Sequence, residues 1–201
     1  MRRALSALTC TALLALAPAC DSEETVGDDF RSSLDQDIQM HPLADEGGGD
    51  DGTIVWEIVQ AEVFDGPAAE GNLLLYIENN AIYTSGGVQT CQVNSPFLNS
   101  TVREVIAANG TDVLFTVWGN YVFQGEIDVK YENFGQIKKL FGAQLLFQYE
   151  PTEIYYGEAA DGMLLMTTNT DITVQSDGRK LLMAALITGE CGSPGLPGYT
   201  F

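Results

Sequence analysis

"VLFTVWGNYVFQGE", residues 113–126, sets two runs of β-branched and aromatic residues around Gly119-Asn120. Gly-Asn tolerates the positive φ that a tight hairpin turn requires. Val, Phe, Thr, Trp and Tyr suit a pleated, half-buried surface. The stretch therefore reads as strand, turn, strand. Its second arm keeps a period of two: Tyr121, Phe123, Ile127 and Val129 alternate with Gln124, Glu126, Asp128 and Lys130. That alternation predicts a core face for the first set and a water face for the second. Gly125, on the inward side, marks a bulge or a close backbone approach.

Four more stretches align with it without gaps: "IVWEIVQAEVFDGP" from Ile54, "LLLYIENNAIYTSG" from Leu73, "LLFQYEPTEIYYGE" from Leu145 and "MLLMTTNTDITVQS" from Met163. Each opens on an apolar run, passes a polar or turn-forming centre and resumes with β-rich residues. The tenth position is Val63, Ile82, Val122, Ile154 or Ile172, and the eleventh is Phe64, Tyr83, Phe123, Tyr155 or Thr173. Glycine falls at or beside position thirteen in four of the five. The units start at uneven intervals, which does not fit a regular solenoid.

Three segments depart from this pattern and are predicted helical. Leu98, Val102, Val105 and Ile106 recur at helical spacing before Gly110. Ile137, Leu140 and Phe141 fall on one helical face before Gly142. In "SDGRKLLMAALITGECG", from Ser176, Asp177 is placed to cap, Leu, Met and Ala favour a helix, and Gly189 suits the left-handed stop. Leu181, Leu182, Ala185 and Leu186 are expected to bury against a sheet. The fold class that follows is mainly β (α+β): repeated antiparallel hairpins forming a curved sheet or barrel-like stack, with a C-terminal helix packed on it.

The N-terminus is different material. Arg2 and Arg3 precede an apolar run, residues 4–17, too short to span a bilayer, which needs about 20 apolar residues. It reads as a cleavable export signal, residues 1–19. Ala17-Pro18-Ala19 fits an ordinary signal-peptidase site. Leu16-Ala17-Pro18-Ala19-Cys20 resembles the lipobox of bacterial lipoproteins, with Ala17 where Leu is usual. The resemblance implies acylation of Cys20 and a chain anchored by lipid to a bacterial membrane, on its periplasmic side or at the cell surface. Multiple acyl chains give stable anchoring.

Residues 20–52 read as an acidic flexible tether. Eleven Asp and Glu lie between Asp21 and Gly52 against Arg31 alone, with Gly47-Gly48-Gly49 among them. Such a segment buries too little apolar surface to offset its ordering entropy, and as a coil it reaches about 30 Å. Residues 53–201 remain as one mainly-β domain.

The cysteines sort by position. Cys10 leaves with the signal, Cys20 takes lipid, and Cys91 and Cys191 are left as an even pair in an oxidising compartment. They are predicted to form a disulfide, worth about 4–5 kcal/mol for a loop of that length. The net charge is −19, which argues against nucleic acid and against docking on anionic headgroups by charge.

Little catalytic machinery is visible. The one histidine, His41, falls in the tether and leaves the domain without a base for Ser-His-Asp or Cys-His chemistry. Residues 47–52 match G-x-G-x-x-G formally, but without the strand and helix that motif needs. No cofactor and no metal site is expected. Glu126, Asp128, Glu153, Glu158 and Asp161 supply carboxylates near the hairpins. Two of them in a cleft would suit a glycan or peptide hydrolase. The aromatic residues Trp118, Tyr121, Tyr149, Tyr155 and Tyr156 gather around the third and fourth hairpins and are the candidate ligand-binding set. The expected function is a membrane-tethered, non-catalytic binding or structural module of a cell envelope. Its partner is an unidentified envelope protein or polymer; the alternatives are the carboxylate hydrolase and a subunit of an envelope assembly.

Overall fold

The computed structural model describes residues 36–43, 53–96, 101–132, 136–141 and 144–201. Its strands are β1 (Ile38–Pro42), β2 (Trp56–Val59), β3 (Glu62–Asp65), β4 (Asn72–Glu78), β5 (Ala81–Thr84), β6 (Gln89–Asn94) and β7 (Val102–Ala107). They continue as β8 (Val113–Trp118), β9 (Tyr121–Gln124), β10 (Asp128–Glu132), β11 (Gln136–Phe141), β12 (Leu145–Glu150), β13 (Glu153–Tyr156) and β14 (Met163–Thr168). One helix, α1 (Asp177–Thr188), follows. Twelve strands close into an antiparallel barrel, in the order β1-β14-β13-β12-β9-β8-β7-β6-β5-β4-β3-β2. Strands β10 and β11 form a separate two-stranded sheet inserted between β9 and β12.

Four of the five aligned stretches are hairpins built to one plan. Positions three, five and ten face the lumen: Trp56, Ile58 and Val63; Leu75, Ile77 and Ile82; Phe115, Val117 and Val122; Phe147, Tyr149 and Ile154. In each, the pairing with the strand that follows slips between positions ten and eleven, leaving Leu74, Thr90, Leu146 or Leu165 as the extra residue. Such bulges bend a strand and increase its twist, which is what lets short strands close into a barrel. The N–H at position thirteen then donates to the carbonyl at position two: Gly66 to Val55 at 2.8 Å, Ser85 to Leu74 at 3.1 Å, Gly125 to Leu114 at 3.0 Å and Gly157 to Leu146 at 2.9 Å. At Gly66, Gly125 and Gly157 φ is +80°, +64° and +78°, a conformation glycine adopts without steric cost. The fifth stretch supplies only β14. Its second half turns away, Ile172 is buried and donates to Pro151 O, and β1 takes the vacant place through Met40↔Thr168 and His41↔Thr167.

Helix α1 lies inside the barrel. Residues 179–187 are all buried, whereas a helix lying on a sheet buries one stripe. Its contacts come from several sides of the wall: Arg103 of β7, Tyr149 of β12 and Gly178 against Ile77 of β4. Twelve strands fall between the eight that side chains alone fill and the sixteen that leave a water channel. The intermediate lumen admits one helix. The expectation of a helix laid on a curved sheet is thus refined: the sheet closes around it. Ser176, not Asp177, caps the start by accepting from Arg179 N. Asp177 is free to pair with Arg103 at 3.0 Å. Gly189 takes the left-handed stop at φ +77°.

The four hairpin turns gather at one end of the barrel, the hairpin end, where α1 enters. The chain leaves α1 at the opposite, tail end. There Cys91 and Cys191 form the disulfide, with their Cα atoms 5.5 Å apart, and residues 192–201 cross the mouth. The tail is fastened by Thr90 Oγ1 to Cys191 O at 2.7 Å, Leu196 N to Ile187 O at 3.1 Å, and Phe201 packed on Phe147 and Tyr156.

Several expectations change. Residues 101–110 are not helical: β7 occupies Val102–Ala107, with Val105 in the lumen core, and Leu98 lies outside the described residues. Its β-branched residues fit a sheet better than the helical spacing implied. Gln136–Phe141, also predicted helical, is strand β11. The Tyr121/Phe123 face points away from the lumen, which Val122 fills; Phe123 and Ile127 are buried as expected, but in a second, outer cluster, and Tyr121 is exposed. Ile38–Pro42, counted within the tether, is the strand that closes the barrel. The remainder of residues 1–35, including Cys20, lies outside the described residues.

Strands of four to seven residues are shorter than the roughly 9–11 that cross a bilayer. The apolar lumen and the outward Glu57, Glu62, Glu78 and Glu104 invert the pattern of a transmembrane barrel. Among the described residues no helix is long and apolar enough to cross a membrane.

Candidate binding surface

Strand register places three of the five candidate aromatics in one row on the outer wall. The rungs run Val102↔Trp118, Trp118↔Tyr121, Tyr121↔Gln148, Gln148↔Tyr155 and Tyr155↔Leu164, across β7, β8, β9, β12, β13 and β14. At about 4.8 Å per strand, Trp118 and Tyr155 stand roughly 15 Å apart along the row. Trp118 and Tyr155 are half-buried, and Tyr121 is 41% exposed. Trp118 is seated on a small outer cluster of Val102, Phe123, Ile127 and Leu145, separate from the lumen core. That support makes the row a firm ledge.

The other two aromatics are elsewhere. Tyr149 points into the lumen, 1% exposed, and donates to Lys180 O at 2.9 Å. Burial pushes its phenol well above the ordinary range. It is a core residue. Tyr156 is exposed at the tail end, with its ring centroid 5.9 Å from that of Phe201.

Carboxylates border the row. Glu150 and Glu153 are directly opposed on β12 and β13. Glu150 Oε1 accepts from Gln148 Nε2 at 2.5 Å, and Glu153 Oε2 accepts from Tyr155 Oη at 2.7 Å. The hydrogen bond to Glu153, then burial and the nearby charges of Glu153 and Glu150, raise the Tyr155 phenol. The other oxygen-bearing end of Gln148 is fixed by Ala159 N at 2.9 Å. The next row continues Glu150↔Glu153↔Thr167↔His41. His41 therefore belongs to the barrel, not to the tether, and its Nδ1 is shielded from solvent with no partner among the described residues. The alternation in Ile38-Gln39-Met40-His41 was the available signal for this strand; the surrounding acidic residues obscured it.

At the hairpin end the two buried cations of α1 form no ion pair among the described residues. Arg179 donates from Nε to Gln60 O at 3.0 Å, and from Nη1 to Gln36 O at 2.6 Å and Gln175 Oε1 at 2.8 Å. Lys180 Nζ donates to Asn120 Oδ1 at 2.8 Å and Thr173 O at 2.7 Å. Both fasten the helix to turns of the barrel. Desolvation lowers the Lys180 pKa despite the opposing pull of Asp177 and Asp171. Among the described residues no three His, Cys, Asp or Glu side chains group as a metal set. No family model, curated protein or solved structure matches this chain.

Proposed function

We propose that the protein is a lipid-anchored, extracytoplasmic binding module of a bacterial envelope, tethered through Cys20, with its ligand surface on the outer wall of the barrel. The observation that carries the reading is the continuous row Trp118, Tyr121, Gln148 and Tyr155, seated on its own apolar cluster. Aromatic faces offer an apolar body to a sugar ring or a peptide at low conformational cost. Gln148, Glu150 and Glu153 add acceptors and a donor alongside. An extended, neutral or hydroxyl-rich envelope polymer is the partner such a row suits.

The opposed Glu150 and Glu153 support the second reading, a carboxylate hydrolase of glycan or peptide. Against it, the two lie on the convex outer wall of the barrel, and each is held by a neutral donor.

One fractionation tests anchor and row together. Wild-type protein should sediment with membranes and take up labelled fatty acid, and Cys20→Ser should be soluble and unlabelled. The soluble variant should then co-sediment with isolated cell-wall sacculi. Trp118→Ala and Tyr121→Ala should each weaken that binding about tenfold, the effect of losing one stacked ring. Membrane retention of Cys20→Ser would reject the anchor. Undiminished sacculus binding by both aromatic variants would reject the row. Release of soluble fragments that Glu150→Gln abolishes would establish the hydrolase instead.

A further inference from the structure

The tail end of the barrel differs from every other surface. Among the described residues, five of the six exposed large hydrophobic residues lie there: Leu43 after β1, Val88 in the β5–β6 turn, Tyr156 at the end of β13, Met163 at the start of β14 and Tyr199 in the tail. Between the tail and the rims of β2, β3 and β4 opens a cleft of about 450 Å³, within the range of ligand sites. Its wall is Val55, Leu74, Pro194 and Pro197, with Trp56, 2% exposed and otherwise in the lumen core, beneath it, and its one charged group is Asp65.

Electrostatics give this cleft a sign. The described cations, Arg103, Arg179 and Lys180, are at the hairpin end. Asp65, Glu70, Asp112, Glu158, Asp161 and Glu190 sit in the turns and tail of the opposite end. The lysines of β10 and β11 fall outside this set of side chains. Among the described residues Asp65 has no ion-pair partner, the one ion pair being Arg103 with Asp177. Helix α1 adds to the field. Its C-terminus, the negative end of the dipole, points at the tail end with no basic residue in its last turn. Both the placement of Arg179 and Lys180 in the first turn and the acid after the last turn run against helix stability. The cations offset negative charge at the hairpin end, and the acid adds to it at the tail end.

We propose that this cleft binds a small organic cation with an apolar body, an alkyl- or arylammonium, its apolar part against Val55, Leu74 and the two prolines and its charge toward Asp65. Charge complementarity selects the cation: an apolar neutral molecule forgoes Asp65 and the dipole, and an anion meets both. The site is on a different face from the outer aromatic row and stands or falls separately from it.

Benzyltrimethylammonium is the probe, with neopentylbenzene as neutral isostere and phenylacetate as anion. The chain has two tryptophans, so Trp118→Phe leaves Trp56 as the reporter beneath the cleft. The cation should shift Trp56 emission saturably, and more tightly than either control by about tenfold. Asp65→Asn should weaken it about fivefold, and Asp65→Lys should abolish it. Asp65 is exposed, so neither change threatens the fold, and unchanged far-ultraviolet circular dichroism confirms that. No saturable shift up to 10 mM, equal affinity for the neutral isostere, or indifference to Asp65→Lys would each overturn the proposal.

Discussion

At the hairpin end α1 is held by hydrogen bonds from buried cations to neutral acceptors: Arg179 to Gln60 and Gln36, Lys180 to Asn120 and Thr173. At the tail end it is held by a covalent strap, Cys91–Cys191, and by a tail with positive φ at Gly192, Gly195 and Gly198. One end is fixed by many directional polar contacts in a low-dielectric setting. The other depends on one bond and a short lid. The ends should therefore respond to different chemistry: the tail end to reductant, the hairpin end to loss of a donor or a proton.

The largest expected effect is at the strap. The double variant Cys91→Ser, Cys191→Ser should lose about 4–5 kcal/mol in urea unfolding, as should wild type in a phosphine reductant. Hydrogen exchange should show where. The Leu196 amide, bonded to Ile187 O, should lose protection well before the Ile172 amide, bonded to Pro151 O. Equal loss at both ends would mean that the strap supports the barrel as a whole, and the contrast would fail.

Arg179→Met should come next, at about 2–3 kcal/mol, because it leaves the buried Gln175 Oε1 without its donor and removes the charged hydrogen bonds to the Gln60 and Gln36 carbonyls. The loss should not depend on reductant. Arg179 and Thr188, the last residue of α1 before the strap, are about 14 Å apart along the helix axis, so this loss and the disulfide loss should add within about 0.5 kcal/mol. Coupling above about 1 kcal/mol would show that α1 transmits strain between the ends.

The hairpins were legible in the sequence because each carries its instructions locally. A turn residue, a buried tenth position and an aromatic eleventh recur together, and Val63, Ile82, Val122 and Ile154 all reach the lumen. What joins hairpins was not legible. Closure depends on β1, which pairs with β14 across more than a hundred residues, and no local pattern encodes a partner that distant. The helix itself was evident from Leu181 to Ile187, but its enclosure was not. An all-buried helix and a one-sided one differ in Met183, Ala184 and Ile187, which suit either setting. In β7, Val102, Val105 and Ile106 satisfy both a helical and a strand spacing, and the wall of β6 and β8 on either side decided it. For the candidate surface, Trp118, Tyr121 and Tyr155 were found by composition. Their alignment needed the register of β12, which bulges at Leu146 between Leu145 and Phe147.

The smallest predicted effect is in the alkaline range, and its sign separates the two buried groups of the hairpin end. The folded Lys180 titrates below its ordinary value of 10.5 because burial disfavours its charge. Below that lowered pKa both states hold the proton, and the cost of the buried charge is constant. Between it and 10.5 the unfolded chain holds a proton that the folded chain lacks, so stability rises as pH rises. Tyr149 acts the other way. Its folded phenol titrates well above its ordinary value of 10.0, so past pH 10 the unfolded chain loses a proton that the folded chain keeps, and stability falls. Wild-type urea midpoints between pH 7 and 11 should therefore climb and then decline. Lys180→Met should remove the climb and keep the decline; Tyr149→Phe should keep the climb and soften the decline, Tyr155 sustaining part of it. A climb that survives in Lys180→Met would place the titrating group elsewhere, and the buried amine would not be what makes the hairpin end respond to protons.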